Sequence, residues 1–272
     1  MEKKKEYIRQ FVSFAGKCPY KCNHCYTFCK GYDSYDSGKN VREIIQKLKG
    51  EKFDIVYISG HKENFINADE GIELCEQIFN NFHTDIMVTT RNVFDSVQLD
   101  RFAELNRKMK YAGKDLYFCA SIPALESYKK LEPNNMIPDP YARIKNLINV
   151  FEKGIYTFLT LRPLCPDSYI PTNELLKIID LCQNSTTVIL SSGIVIDDDI
   201  LNRLKGFPKD YISQNKPLMP CLKNNISMKY VNVDRELLII KKKAKECNIP
   251  FFEHSLPAIE YIKNSTEKYP AN

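Results

Sequence analysis

Four of the ten cysteines fall within twelve residues, in the string Cys18-Pro-Tyr-Lys-Cys22-Asn-His-Cys25-Tyr-Thr-Phe-Cys29. A chain of 272 residues buries enough surface to fold without disulfides. Ten cysteines also fall short of the ~8–10% found in a disulfide scaffold. Thiols gathered this closely therefore point to a metal. Spacings of three and then two residues let Cys18, Cys22 and Cys25 converge on one small inorganic centre. Iron–sulfur cubes normally take four cysteine ligands. A set of three leaves one iron open to a substrate or cofactor, the arrangement that separates a reactive metal site from a closed one. Cys29 keeps a second chemistry open, since four thiolates can close a structural zinc site or a fully ligated electron-transfer centre.

The elements that must hold this string are strands alternating with helices. Strand-like runs cover Tyr7–Phe14, Phe53–Ser59, Asp85–Thr90, Asp115–Ser121, Ile155–Arg162 and Thr186–Leu190. Helical spacing covers Val41–Leu48, Asp69–Phe82, Ser96–Lys110, Tyr141–Lys153 and Thr172–Cys182, with Gly154 suited to a helix end. Units of this length imply βαβ crossovers and hence a parallel sheet. Six of them fit a doubly wound sheet or an incomplete barrel, and we expect a partial (β/α)6 TIM-like barrel over residues 1–206. Beyond it, 207–272 reads as a C-terminal extension packed on the barrel, with strands at Met228–Val233 and Pro250–Glu253 around a helix over Asp234–Cys247. The cysteine string directly follows the first strand, at the sheet's carboxyl end, where parallel α/β folds bind ligands.

Cys-x3-Cys-x2-Cys on the loop after the first strand, with the aromatic His24 just before the third cysteine, resembles the radical S-adenosylmethionine (radical SAM) superfamily. The resemblance implies that Cys18, Cys22 and Cys25 hold a [4Fe-4S] cluster whose open iron is chelated by S-adenosyl-L-methionine (SAM). Reductive cleavage of SAM then yields a 5′-deoxyadenosyl radical that takes hydrogen from a substrate. It also implies a one-electron donor such as a flavodoxin or ferredoxin. Other strand ends carry candidate SAM contacts. Ser59-Gly60 stands where the family has a Gly-Gly-Glu-Pro-like string, with the acidic role falling to Glu63 or a hydrogen bond to His61. The third strand ends in a polar group that includes Thr90. Ser121 suits the ribose or carboxylate, Arg162 the carboxylate, and Gly193-Ile194 the adenine. Between about residues 11 and 196, the order Ser121-Ile-Pro, Leu131-Glu132-Pro133, Arg143 and Arg162-Pro163 is similar to spore photoproduct lyase-related members. Glu132 and Arg143 are expected to form a structural ion pair.

Composition excludes less than the motif implies. No GxGxxG or Walker-type string occurs, so a Gly-rich phosphate loop is not expected. The net charge of +5 is small and scattered, and it does not announce a nucleic-acid binder. No apolar run reaches the ~18 residues of a membrane span, and the chain reads as cytoplasmic. Nucleic acid, peptide and small metabolite all stay open as substrates. Cys221, in Leu218-Met-Pro-Cys221-Leu, is a candidate hydrogen-atom donor or cluster ligand, against the commoner role of a buried free thiol.

Overall fold

Apolar strands and capped helices alternate as their periodicities require, and together they build a parallel sheet. The computed structural model describes residues 7–29, 36–217 and 227–265. The strands are β1 (Arg9–Val12), β2 (Ile55–Ile58), β3 (Asp85–Thr90), β4 (Leu116–Ser121), β5 (Tyr156–Leu164) and β6 (Val188–Gly193). Between them lie α1 (Val41–Leu48), α2 (Ala68–Phe82), α3 (Ser96–Tyr111), α4 (Pro140–Glu152) and α5 (Thr172–Cys182). Each of the first four helices starts on a side-chain cap: Asn40, Asn67, Asp95 and Asp139 accept the backbone N–H three residues on.

The first six strands pair in chain order, all parallel. A doubly wound sheet reverses its strand order at a switch point; this one does not. It curls into an open barrel with its crossover helices outside, as expected. One apolar core joins the helices to outward residues such as Val56, Val88, Phe118 and Leu159. A second core lies on the inner face and contains Ile55, Tyr57, Met87, Tyr117, Phe158 and Leu190.

After β6 come β7 (Val195–Ile196), α6 (Asp198–Arg203), β8 (Ile212–Pro217) and β9 (Ser227–Val231). The strands β7, β9 and β8 form a separate antiparallel sheet. Then α7 (Asp234–Glu246) packs on α5 and β6, and β10 (Phe251–Phe252) joins the main sheet beside β6 in parallel. The last helix, α8 (Ser255–Asn264), places Ala258, Ile259 and Ile262 in the inner core, and so plugs the barrel. Its Pro257 sits in the first turn, where a missing N–H costs no hydrogen bond. Among the described residues, no helix is long and apolar enough to cross a membrane.

Candidate active site at the carboxyl ends of the strands

The sheet pleat decides which side chains meet above the plug. On β3, Met87 and Thr89 point inward, and Arg91 follows on the same parity beyond the strand. Equivalent inward positions on β2, β4 and β5 are Ser59, Ser121, Thr160 and Arg162. These residues and the cysteine loop enclose a cavity of about 370 Å³, within the ~300–1,000 Å³ of small-molecule sites.

Cys18, Cys22 and Cys25 line one wall of this cavity and pack together with Tyr20 and Ile137. Burial pushes the Cys22 thiol up to about 12 and raises that of Cys25 as well. The loop that carries them is held from several directions. Asn23 donates its backbone N–H to the Leu131 carbonyl (2.8 Å) and its side-chain amide to that of Lys130 (2.9 Å). Asn134 donates to the Pro19 carbonyl (2.8 Å). The Tyr26 hydroxyl meets His61 Nδ1 at 2.7 Å. Cys29 lies elsewhere. It is absent from the cavity wall and is buried in the outer core, where burial and the neighbouring Asp197 carboxylate push its thiol to about 12. Among the described residues, no three His, Cys, Asp or Glu side chains converge on a single metal ion.

His24 is buried against Arg91, whose guanidinium lies 3.3 Å from Nε2. A guanidinium only donates, so Nε2 accepts and the ring is neutral. Burial, with Arg91 adding to it, pulls His24 down to about 3. Burial likewise brings His61 to about 4, with Lys62 contributing. Arg91 also donates to Glu132 Oε1 (2.5 Å), and Arg143 donates to Glu132 Oε2 (2.7 Å). Burial works to raise Glu132, but Arg143 and Arg91 outweigh it and hold the carboxylate at about 2. The expected pair of Glu132 and Arg143 is thus a triad that includes Arg91.

Nine candidate SAM contacts share this cavity: His24, Ser59, Gly60, His61, Glu63, Ser121, Arg162, Gly193 and Ile194. Ser59 has φ of 64°, in the left-handed region, and its hydroxyl accepts the Asn64 N–H at 2.8 Å. Gly60 leaves room for Phe11, whose ring carbon would lie 2.9 Å from any Cβ there. The Glu63 carboxylate accepts from the Thr90 hydroxyl (2.8 Å) and from the N–H groups of Arg91 (2.9 Å) and Phe65 (3.0 Å). Thr90 therefore does not line the cavity; it faces outward and holds Glu63. Its place on the wall is taken by Thr89. Arg162 reaches only the Glu253 carbonyl, and its buried Nε has no partner among the described residues. Cys221 lies outside the described residues.

Arg91 and Arg203 stand out at this site, and neither is singled out by the sequence motifs. Inward parity on β3 points to Arg91. Arg203 carries no local signal: it reaches the loop from α6, donating to the carbonyls of Asn23 (3.0 Å) and Cys25 (2.7 Å).

The residues present fit the expected groups. Thiols suit an iron–sulfur centre, and an inward guanidinium with an unpaired Nε suits a carboxylate.

The chain matches no protein-family model and no curated protein. Solved structures share its fold at low identity. SuiB of Streptococcus suis bound to S-adenosylmethionine aligns over 91% of this chain and 50% of its own, with a TM-score of 0.57 at 14% identity. SuiB bound to the precursor peptide SuiA aligns over 97% and 54%, with a TM-score of 0.57 at 13% identity. A radical SAM methyltransferase from Sphaerobacter thermophilus aligns over 91% and 65%, with a TM-score of 0.52 at 12% identity. The chain thus spans about half to two thirds of these neighbours. Its fold is the open barrel that these solved structures share.

Proposed function

We propose that this chain is a radical SAM enzyme, with a [4Fe-4S] cluster held by Cys18, Cys22 and Cys25 and SAM bound beside it in the cavity. One observation carries the reading: three thiols share the cavity wall at the carboxyl ends of the strands, while Cys29 is turned into the outer core. When bound, the cluster and SAM supply a one-electron cleavage whose organic radical takes a hydrogen atom from a substrate. The chain's own residues bind and shield. Arg162 offers an unpaired N–H to the SAM carboxylate. Glu63, fixed by Thr90 and the Arg91 N–H, offers an acceptor to the amino group. Ser121, Gly193 and Ile194 line the remaining wall, as ribose and adenine contacts require. The inner core and its α8 plug keep water from the far end.

A flavodoxin or ferredoxin is the class of electron donor this reading requires. For the substrate, the solved SuiB–peptide complex favours a peptide over nucleic acid or a small metabolite. The likeness to spore photoproduct lyase-related proteins rests on the order of Ser121-Ile-Pro, Leu131-Glu132-Pro133, Arg143 and Arg162-Pro163 in the sequence.

Anaerobic reconstitution tests the proposal. The chain is expected to take up about four irons, turn brown, and release 5′-deoxyadenosine from SAM with dithionite. Cys22→Ser is expected to abolish the iron content and Cys29→Ser to keep it. A colourless protein that binds zinc and needs Cys29 to do so would establish the closed four-thiolate module instead.

A further inference from the structure

Two guanidinium groups from distant parts of the chain meet the cysteine loop. Arg91 leaves β3 and bonds His24 Nε2 in the middle of the loop. Arg203, at the end of α6, donates Nε to the Asn23 carbonyl and a second N–H to the Cys25 carbonyl. Arg143 stands behind them, 1% exposed, donating to Glu132 and to the Ser121 carbonyl at 2.7 Å. Arg91 and Arg143 share one buried carboxylate, Glu132; among the described residues, no carboxylate forms an ion pair with Arg203. Three guanidinium groups thus gather at the loop, where Glu132 is the fully buried carboxylate, Glu63 also acts on Arg91, and Asp197 stands with Arg203 beside Cys29. Charge held away from water is costly unless an anion sits beside it. A cluster held by the cysteine loop would bring an anion of that kind next to Arg91, which bonds His24, and to Arg203, which bonds the Asn23 and Cys25 carbonyls.

We propose that Arg91 and Arg203 form a guanidinium brace around the cysteine loop that raises the reduction potential of the cluster held there. The inference rests on the radical SAM reading. Reduction brings one electron from an external one-electron donor to the cluster, which gains one negative charge; no proton or bond is involved. Fixed cations nearby favour the more negative form, by the same physics that lets a cation favour an ionised acid. Hydrogen bonds and charges around the sulfur ligands are among the known means of setting such potentials. Arg203 also acts on the backbone. Its two donors fix the peptides of Asn23 and Cys25, so the loop keeps its shape when the charge changes. Both are positioning residues that act through the cluster, and neither is assigned to the substrate.

The test is a redox titration of the reconstituted full chain, with the reduced cluster followed by electron paramagnetic resonance and iron counted in each sample. Arg203→Gln and Arg91→Gln remove a charge but keep amide donors; Arg203→Lys keeps the charge and loses the fork. Each Gln variant is expected to hold its irons and to make reduction about tenfold less favourable, a fall of about 59 mV for one electron. Arg203→Lys is expected to stay near the wild-type potential. Gln variants with full iron and an unmoved potential overturn the brace. If the Gln variants lose the cluster, Arg203→Lys decides: a wild-type potential supports the brace and a lowered one overturns it. A wild-type chain that takes up no iron overturns the radical SAM reading itself, a different result from any of these.

Discussion

The two ends of the barrel's inner face are built from opposite materials. At the amino ends of the strands, Ile55, Tyr57 and Phe158 meet Ala258, Ile259 and Ile262 of α8 in a closed apolar layer. Its polar exception is fully engaged: Asp85, 1% exposed, accepts from Tyr7 (2.7 Å), from the Asp115 N–H (3.0 Å) and from Lys263. At the carboxyl ends, the same strands present Ser59, Arg91, Ser121 and Arg162 to a cavity, and the backbone at Ser59 is strained. One end is packed from apolar side chains with its buried Asp85 fully paired, while the other departs from several local rules of stability, as functional sites do. A well-packed plug is what lets the open end carry buried charge.

The largest expected effect breaks the open end from below. Glu132→Gln leaves Arg91 and Arg143 without their shared carboxylate, which is itself fully buried. Removing one member of a buried charge network costs about 3–5 kcal/mol, to be read from urea unfolding. A loss under about 1 kcal/mol would mean that the triad is solvated rather than buried. Next comes the plug. Ile259 is fully buried, and Ile259→Ala is expected to cost about 3 kcal/mol through lost contacts and the cavity left behind. Because Ile259 belongs to the apolar plug and is absent from the cavity wall, SAM binding in equilibrium dialysis should change little. A loss of affinity matching the loss of stability would erase the distinction between the two ends.

At about pH 6, acid should act on the open end. Burial holds His24 at about 3 and His61 at about 4, with Arg91 and Lys62 adding to it. Both are lowered from the ordinary 6.5, so below about pH 6.5 the unfolded chain binds protons that the folded chain refuses. The stability these rings contribute is complete above that value and declines as the pH falls toward 4 and then 3. Between about pH 6.5 and 5.5 the loss is about 1 kcal/mol per histidine. Denaturant titrations of the cluster-free chain should recover half of it in His24→Gln. A slope that survives the loss of both rings assigns acid sensitivity to the plug instead.

The fold was legible where period and length agree. The six core strands and five helices lie within a few residues of their expected spans because each shows one clear repeat between turn residues. The segment of α8 was not legible: ten residues with a proline in the first turn carry a pattern too short to rise above loop. At the site, the cysteines were legible from spacing. Thr90 draws notice through its polar neighbours, whereas the pleat places Thr89 and Arg91 inward and leaves Thr90 to hold Glu63. Arg203 lies 180 residues from its partner Asn23, and no local pattern reports a contact that only tertiary packing creates.

The smallest effect tests the strained rim of the cavity. Ser59 occupies left-handed backbone at φ 64°, and its hydroxyl accepts the buried Asn64 N–H. Ser59→Gly removes the conformational penalty, about 1 kcal/mol, but strands an amide at about 1–3 kcal/mol and adds glycine's own entropy in the unfolded chain. The net is a loss of about 1 kcal/mol. Ser59→Ala keeps the strain and loses the same hydrogen bond, so alanine should be the worse of the two, although it is the larger and less flexible residue. Thermal unfolding of the two variants side by side reads the order directly. If alanine proves the more stable, the turn after β2 is relaxed, and the contrast between a strained rim and an ideal plug loses its backbone component.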